Sequence, residues 1–220
     1  MNRRSLVLVV GAVAVAALAV AAVLSSRNAS LTSPVAPAAA DARGAAQALV
    51  RFHSPVLGRM DAPVTIVEFF DPSCEGCRAF HPHVKALLER YPQDVRVVMR
   101  YVLFHKGSEE TVRLLEAARR QNLFAPVLDA ILAAQPDWHD DPAVAAAWAA
   151  AARAGLNEGQ ARAILQDEGI SRVIQADAAD VEQFGIRGTP TFYIDGQRLD
   201  RLSPEALQSA VESAIRQVSR

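Results

Sequence analysis

Cys74 and Cys77 are the only two thiols of this 220-residue chain. They form the run Cys74-Glu75-Gly76-Cys77 at the start of a predicted helix, which brings the two sulfurs within bridging reach. Cys74 then faces outward at the helix N-terminus, where unpaired N–H groups and the dipole stabilise a thiolate. Cys77 sits one turn in and is more buried. This asymmetry makes the first sulfur a nucleophile and the second a resolving thiol. A bridge closing so short a loop removes little chain entropy and is a weak staple. The competing use of the pair is metal binding, in which Cys74, Cys77 and one of His81, His83 or His105 hold copper(I) or zinc. His81 and His83 read as surface positions on the same helix, with no third and fourth ligand evident nearby, so no metal is assigned.

Two further positions carry chemistry. Glu68 interrupts the apolar run Val64–Phe70 (VTIVEFF). A carboxyl buried there without a partner is costly, its pKa rises, and it becomes a proton acceptor near neutral pH. The alternative is an edge position with Glu68 facing solvent. Pro190 lies at the entry of the predicted strand Thr191–Ile194, where its missing N–H costs no ladder bond. The residues alone predict a trans bond before it.

The elements that must position these groups follow a strand–helix–strand order. Leu49–Phe52 is predicted as a short first strand, and Val64–Phe70 as a strand buried on both faces. A helix spans Cys74 to Tyr91, ended by Pro92. Val95–Tyr101 (VRVVMRY) is a second buried strand, which makes a parallel βαβ unit. Glu109–Gln121, Pro126–Ala134 and Pro142–Ala154 read as Ala-rich helices. Asn157 caps another helix through Gln166, and Ser171 caps one to Phe184. Thr191–Ile194, the turn Asp195-Gly196 and Gln197–Asp200 form a hairpin. Ser203-Pro204-Glu205 starts a last helix, with Pro where its missing donor does no harm. Trp138 and Trp148 read as packing residues of the helical block.

The first 46 residues do not belong to this domain. Leu6–Leu24 is 19 residues long without a charged or polar side chain, about 28 Å as a helix, close to a bilayer's hydrocarbon core. Arg3 and Arg4 ahead of it predict that the N-terminus stays cytoplasmic and the rest is exported. The run exceeds the about 7–15 residues of a signal-peptide core, which favours an uncleaved anchor; small residues at Ala19 and Ala21 still permit cleavage. Residues 25–46, rich in Ala, Ser and Pro, read as a linker. Arg3, Arg4 and Arg27 are the only charges among the first forty residues, so the remainder is net −4 against −1 for the whole chain. Phosphate recognition needs clustered positive charge, so nucleic acid is excluded as the main partner.

Val64–Phe70, Cys74-Glu75-Gly76-Cys77 and Gly188-Thr189-Pro190-Thr191-Phe192 together resemble a thioredoxin-fold protein. The helical block between strands makes the chain similar to the DsbA-like thiol–disulfide oxidoreductases of the bacterial envelope, over residues 56–218. The resemblance implies an α/β thioredoxin fold for residues 47–220, with a helical insertion at about 108–170 between the second and third core strands. It implies that Cys74 exchanges with substrate and Cys77 resolves the mixed disulfide. Pro190 is then a cis-proline opposite the disulfide, Thr189 lines the substrate contact and tunes redox behaviour, and Glu68 assists proton transfer. Pro82 matches the kink of thioredoxin's active-site helix. No cofactor is implied. The implied partners are exported protein thiols and a membrane redox partner, for a monomeric domain in the periplasm tethered to the inner membrane by residues 6–24, or soluble there after cleavage. Isomerases of this kind usually carry an N-terminal dimerisation domain, and residues 25–48 are too short and too low in complexity for one, which speaks against an isomerase. One departure stands out: the intervening pair is Glu75-Gly76, not the Pro-His of strongly oxidising members. Glu75 repels a Cys74 thiolate where His⁺ attracts it. The expectation is a Cys74 pKa above the about 3.5 of the strong oxidants, and a less oxidising couple.

Overall fold

A computed structural model describes residues 48–219. The apolar run 6–24 and the linker 25–46 lie outside the described residues, and no described helix is long and apolar enough to cross a membrane. The described elements run β1 (Val56–Gly58), β2 (Val64–Phe70), α1 (Glu75–Arg90), β3 (Val95–Tyr101), α2 (Ser108–Arg120), α3 (Phe124–Ala133), a 3₁₀ turn (Gln135–Asp137), α4 (Ala145–Arg153), α5 (Glu158–Ala163), α6 (Glu168–Gln183), β4 (Thr191–Ile194), β5 (Gln197–Arg198) and α7 (Pro204–Val218). The strands form one sheet in the order β1-β3-β2-β4-β5. β2 and β3 are parallel, from Val64 opposite Val95 to Phe70 opposite Tyr101; the other pairs are antiparallel. This is the thioredoxin-like α/β fold with helices inserted between β3 and β4.

Successive residues of a strand point to opposite faces, so β2 and β3 must satisfy two cores at once. Val64, Ile66, Phe70, Val95, Val97 and Met99 face the larger core, which α1, α7 and the helical block cover. Val67, Phe69 and Val98 face a smaller one with Val181, Ile186 and Tyr193. By the same alternation Glu68 points into the larger core, beneath α1, and is 2% exposed. The alternative of a solvent-facing Glu68 is thereby removed.

On the opposite face the sheet buries a cation. Arg100 of β3 donates through Nε to Asp177 Oδ1 at 2.8 Å, pairs with Asp180, and donates to the Leu49 carbonyl at 2.7 Å. His53 Nε2 lies 2.9 Å from Asp177 Oδ1, and Arg51 forks onto Asp180 at 2.6 and 2.8 Å. This cluster corrects the expected first strand. Leu49–Phe52 makes no ladder, because its side chains and carbonyl are claimed by α6 and Arg100, and Phe52 is exposed. The edge strand is β1 instead, starting after Pro55.

Other boundaries also differ from expectation: the helix expected from Pro126 starts at Phe124, and the one expected through Gln166 ends at Ala163. The fourth expected helix starts at Ala145, not Pro142: the Asp141 carboxylate takes the N–H groups of Ala143 and Ala145, and Val144 adopts φ 46°. Asp167 rather than Ser171 caps α6, accepting from Gly169 and Ile170, while the Ser171 hydroxyl donates back to the Asp167 carbonyl. β5 is two residues long rather than four. The Asp195-Gly196 turn has φ 47° and 85°, the left-handed pair that a two-residue hairpin requires. Asn157 and Ser203 cap α5 and α7 as expected.

Candidate active site

β2 ends at Phe70 and the chain turns through Asp71-Pro72-Ser73 into α1. Asp71 holds this turn. Its Oδ1 accepts from the Ser73 N–H at 2.9 Å and the Ser108 hydroxyl at 2.6 Å; its Oδ2 accepts from the Phe104 N–H and lies 2.8 Å from His105 Nδ1. One buried carboxylate thus ties the turn to the loop that follows β3. The Asp71 N–H donates to Cys77 Sγ at 3.4 Å. Cys74 is the N-cap of α1, with extended backbone and no side-chain cap bond.

Both sulfurs are free thiols. Cys74 is 8% exposed and Cys77 is fully buried. The Cys74 thiol donates to the Thr189 carbonyl at 3.3 Å, and the Thr189–Pro190 bond is cis. A Cβ added at Gly76 would sit 3.3 Å from both Pro190 Cδ and the Thr189 carbonyl, and 3.5 Å from Cys74 Sγ. The active-site turn and the Pro190 loop come close at position 76, so a side chain there displaces its neighbours. Gly76→Ala is expected to push the two apart by a few tenths of an ångström and slow attack on Cys74 several-fold, measured as alkylation rate at saturating pH, with the thermal midpoint little changed.

The environment splits the two thiols. The hydrogen bond from Cys77 is the largest influence on Cys74; the Thr189 side chain and the N–H groups of Cys77 and Gly76 add to it. They outweigh burial and bring the Cys74 pKa down to about 5. Burial, the bond to Cys74 and the charges of Glu68 and Cys74 push Cys77 well above the ordinary thiol value. Burial, assisted by the charge on Cys74, pushes Glu68 up to about 8. Glu75 is not among the leading influences on Cys74. Its exposed carboxylate lies 3.9 Å from His139 Nε2, and hydrogen bonds rather than side-chain charges set the sulfur.

Thus Cys74, Cys77, Gly76, Thr189 and Pro190 meet at one rim with Glu68 beneath, while Glu75 points away. Sequence reading missed Asp71 and Gln135 and weighed His105 only as a metal ligand. Asp71-Pro72-Ser73 does carry a local signal, an Asx turn. His105 is pinned by Asp71; burial opposes its protonation, but the neighbouring carboxylate prevails and its pKa is raised. His81 is bound to Asp129 at 2.6 Å, and His83 lies against Phe80. Among the described residues no group of three or more His, Cys, Asp or Glu is placed to hold a metal ion. The copper or zinc reading has no support.

A family model described as thioredoxin matches residues 52–213. The chain belongs to the thioredoxin family. Within it the chain is DsbA-like: it is 27% identical over 169 residues to the thiol:disulfide interchange protein DsbA of Bordetella parapertussis, covering 76% of this chain and 78% of that protein. It is 36% identical over 166 residues to the Na(+)/H(+) antiporter NhaA 3 of Salinispora tropica, covering 73% of this chain and 24% of the antiporter. The chain spans about a quarter of the length of the antiporter relatives that it matches. Among solved structures, a thioredoxin-like oxidoreductase from Silicibacter pomeroyi superposes with TM-score 0.67 at 27% identity, over 76% of this chain and 94% of that one. The DsbA-like, thioredoxin-family reading of the sequence is therefore upheld.

Proposed function

We propose that this thioredoxin-family chain is a protein thiol–disulfide oxidoreductase. The observation that supports it most is the placement of the pair: Cys74 Sγ sits at the cis-Pro190 rim, 3.3 Å from the Thr189 carbonyl, against a fully buried Cys77. In the oxidising direction a substrate thiolate attacks Cys74 Sγ of the Cys74–Cys77 disulfide. A mixed disulfide forms, Cys77 leaves as thiolate and takes the Glu68 proton. A second substrate thiolate attacks the substrate sulfur of that mixed disulfide and expels Cys74 as thiolate. The substrate loses two electrons and the enzyme gains them. The reducing direction runs the same steps backwards, with Glu68 accepting the Cys77 proton.

The poise follows from the thiolate. A lower Cys74 pKa stabilises the reduced form and makes the couple more oxidising. A value of about 5 lies between about 3.5, for a couple near −120 mV, and about 7, for one near −270 mV. Equilibration with glutathione buffers is expected to give roughly −140 to −230 mV by that interpolation. Absence of exchange with glutathione or protein thiols contradicts the proposal. The polar-free run 6–24 behind Arg3 and Arg4 supports an envelope location with an N-terminal anchor, residues 25–46 as spacer, and exported protein thiols and a membrane redox partner as reactants.

A further inference from the structure

Gln135 lies in the 3₁₀ turn of the helical block, 61 residues beyond Cys74, and is fully buried. Its carboxamide is saturated. Nε2 donates to the Pro72 carbonyl at 2.7 Å and to the Cys74 carbonyl at 3.0 Å, while Oε1 accepts from Arg78 Nε at 3.0 Å. The orientation of the amide follows from its partners: two carbonyls need a donor, and a guanidinium needs an acceptor. The turn bearing Gln135 is itself fixed, because buried Trp138 donates from its indole N–H to the Ile131 carbonyl at 2.9 Å.

The two carbonyls bracket Ser73, and one belongs to Cys74. They set the path by which the chain enters α1. That path decides whether the N–H groups of Gly76 and Cys77 point at Cys74 Sγ. Asp71 grips the turn from the β3 side, and Gln135 grips it from the helical block. Without the second grip, Pro72 O loses its buried donor, and the Cys74 carbonyl keeps only the helical bond from the Arg78 N–H at 3.1 Å.

We propose that Gln135 is a positioning residue for thiol–disulfide exchange, through which the inserted helical block holds the Cys74 backbone in the orientation that makes its sulfur reactive. The inference rests on the exchange reading of the site, but its test is separable from that reading, because thiol ionisation is measurable whether or not the protein exchanges disulfides.

The test is the pH dependence of iodoacetamide alkylation of Cys74 in the reduced full chain. Gln135→Met keeps the volume and removes the donor. It is expected to raise the Cys74 pKa by about one unit and to shift the glutathione equilibrium about tenfold toward the disulfide, which is about 30 mV. Val127→Ala, a packing change in buried Val127 of the same block, is the control: it lowers the unfolding midpoint and leaves the ionisation where it is. A Gln135→Met protein that ionises as wild type overturns the inference. So does a Val127→Ala protein that shifts as much, because the effect is then general loosening. If Gln135→Met fails to fold, Gln135→Asn retains an amide shortened by one methylene; it is expected to shift the same way by less, and no shift overturns the inference. Failure of the wild-type chain to exchange with glutathione, with the ionisation shift intact, counts against the exchange reading alone.

Discussion

Replacing Cys74 by Ser is expected to abolish exchange with protein and glutathione thiols, a loss of at least about a thousandfold, because no other sulfur reaches the rim. The hydroxyl nearly matches the thiol in size, so the fold stays. Cys77→Ser is expected to behave differently. Cys74 still attacks a substrate disulfide, but nothing resolves the adduct, and the mixed disulfide accumulates on a non-reducing gel and by mass. Reversal of these two outcomes, with Cys74→Ser forming the adduct, contradicts the assigned roles. A third variant probes the split itself. The bond from the Cys77 thiol is the largest influence holding Cys74 low. Cys77→Ala, which has no donor, is therefore expected to raise the Cys74 pKa above about 5.

The second large effect belongs to Glu68. Its folded pKa is about 8 against 4.5 for the free carboxyl. A raised acid binds more protons in the folded state than in the unfolded state. Its favourable contribution is complete below about 4.5 and is lost as pH climbs toward 8. Glu68→Gln removes that slope. The stability difference between Glu68→Gln and wild type is expected to grow from pH 4.5 to 7, measured by urea unfolding of the oxidised protein, by less than the roughly 3 kcal/mol that a pKa of about 8 gives, because the disulfide removes the Cys74 charge and leaves burial alone. Cys74 in the reduced protein has the opposite sign: its pKa falls from 9.0 to about 5, so its contribution is complete above 9 and lost as pH falls through 5. Use of the oxidised form keeps the two apart. The same variant removes a proton carrier, so resolution of a trapped mixed disulfide by Cys77 is expected to slow on the order of a hundredfold. A stability difference that does not change with pH, together with an unchanged resolution rate, places Glu68 in solvent and outside the mechanism.

What the sequence disclosed is what local pattern encodes. Val64–Phe70 and Val95–Tyr101 are apolar at nearly every position because both faces are covered, and the two cores confirm it. The spacing of Cys74 and Cys77 on one helical turn is local as well. The cis bond before Pro190 was not legible from the residues; the family resemblance supplied it. Leu49–Phe52 failed as a strand because Arg51, His53 and the Leu49 carbonyl answer to Asp180, Asp177 and Arg100, which come from distant sequence. Asp167 displaced Ser171 as a cap, since a carboxylate at the helix start accepts two N–H groups and gains from the dipole. Gln135 carried no signal at all, because an amide in a helical block reveals nothing until the turn it clamps is folded against it. Nor does the sequence show that the exposed Glu75 carboxylate lies 3.9 Å from His139 Nε2.

The central claim is the asymmetry of two cysteines on one helical turn, and it is most directly tested by site-resolved alkylation of the reduced chain across pH. Mass spectrometry of the Cys74 and Cys77 peptides reads each sulfur separately. The account predicts that Cys74 is modified with a half-point near pH 5 while Cys77 stays unmodified through neutral pH. Modification of Cys77 first, or of both at the ordinary thiol value near 9, contradicts it.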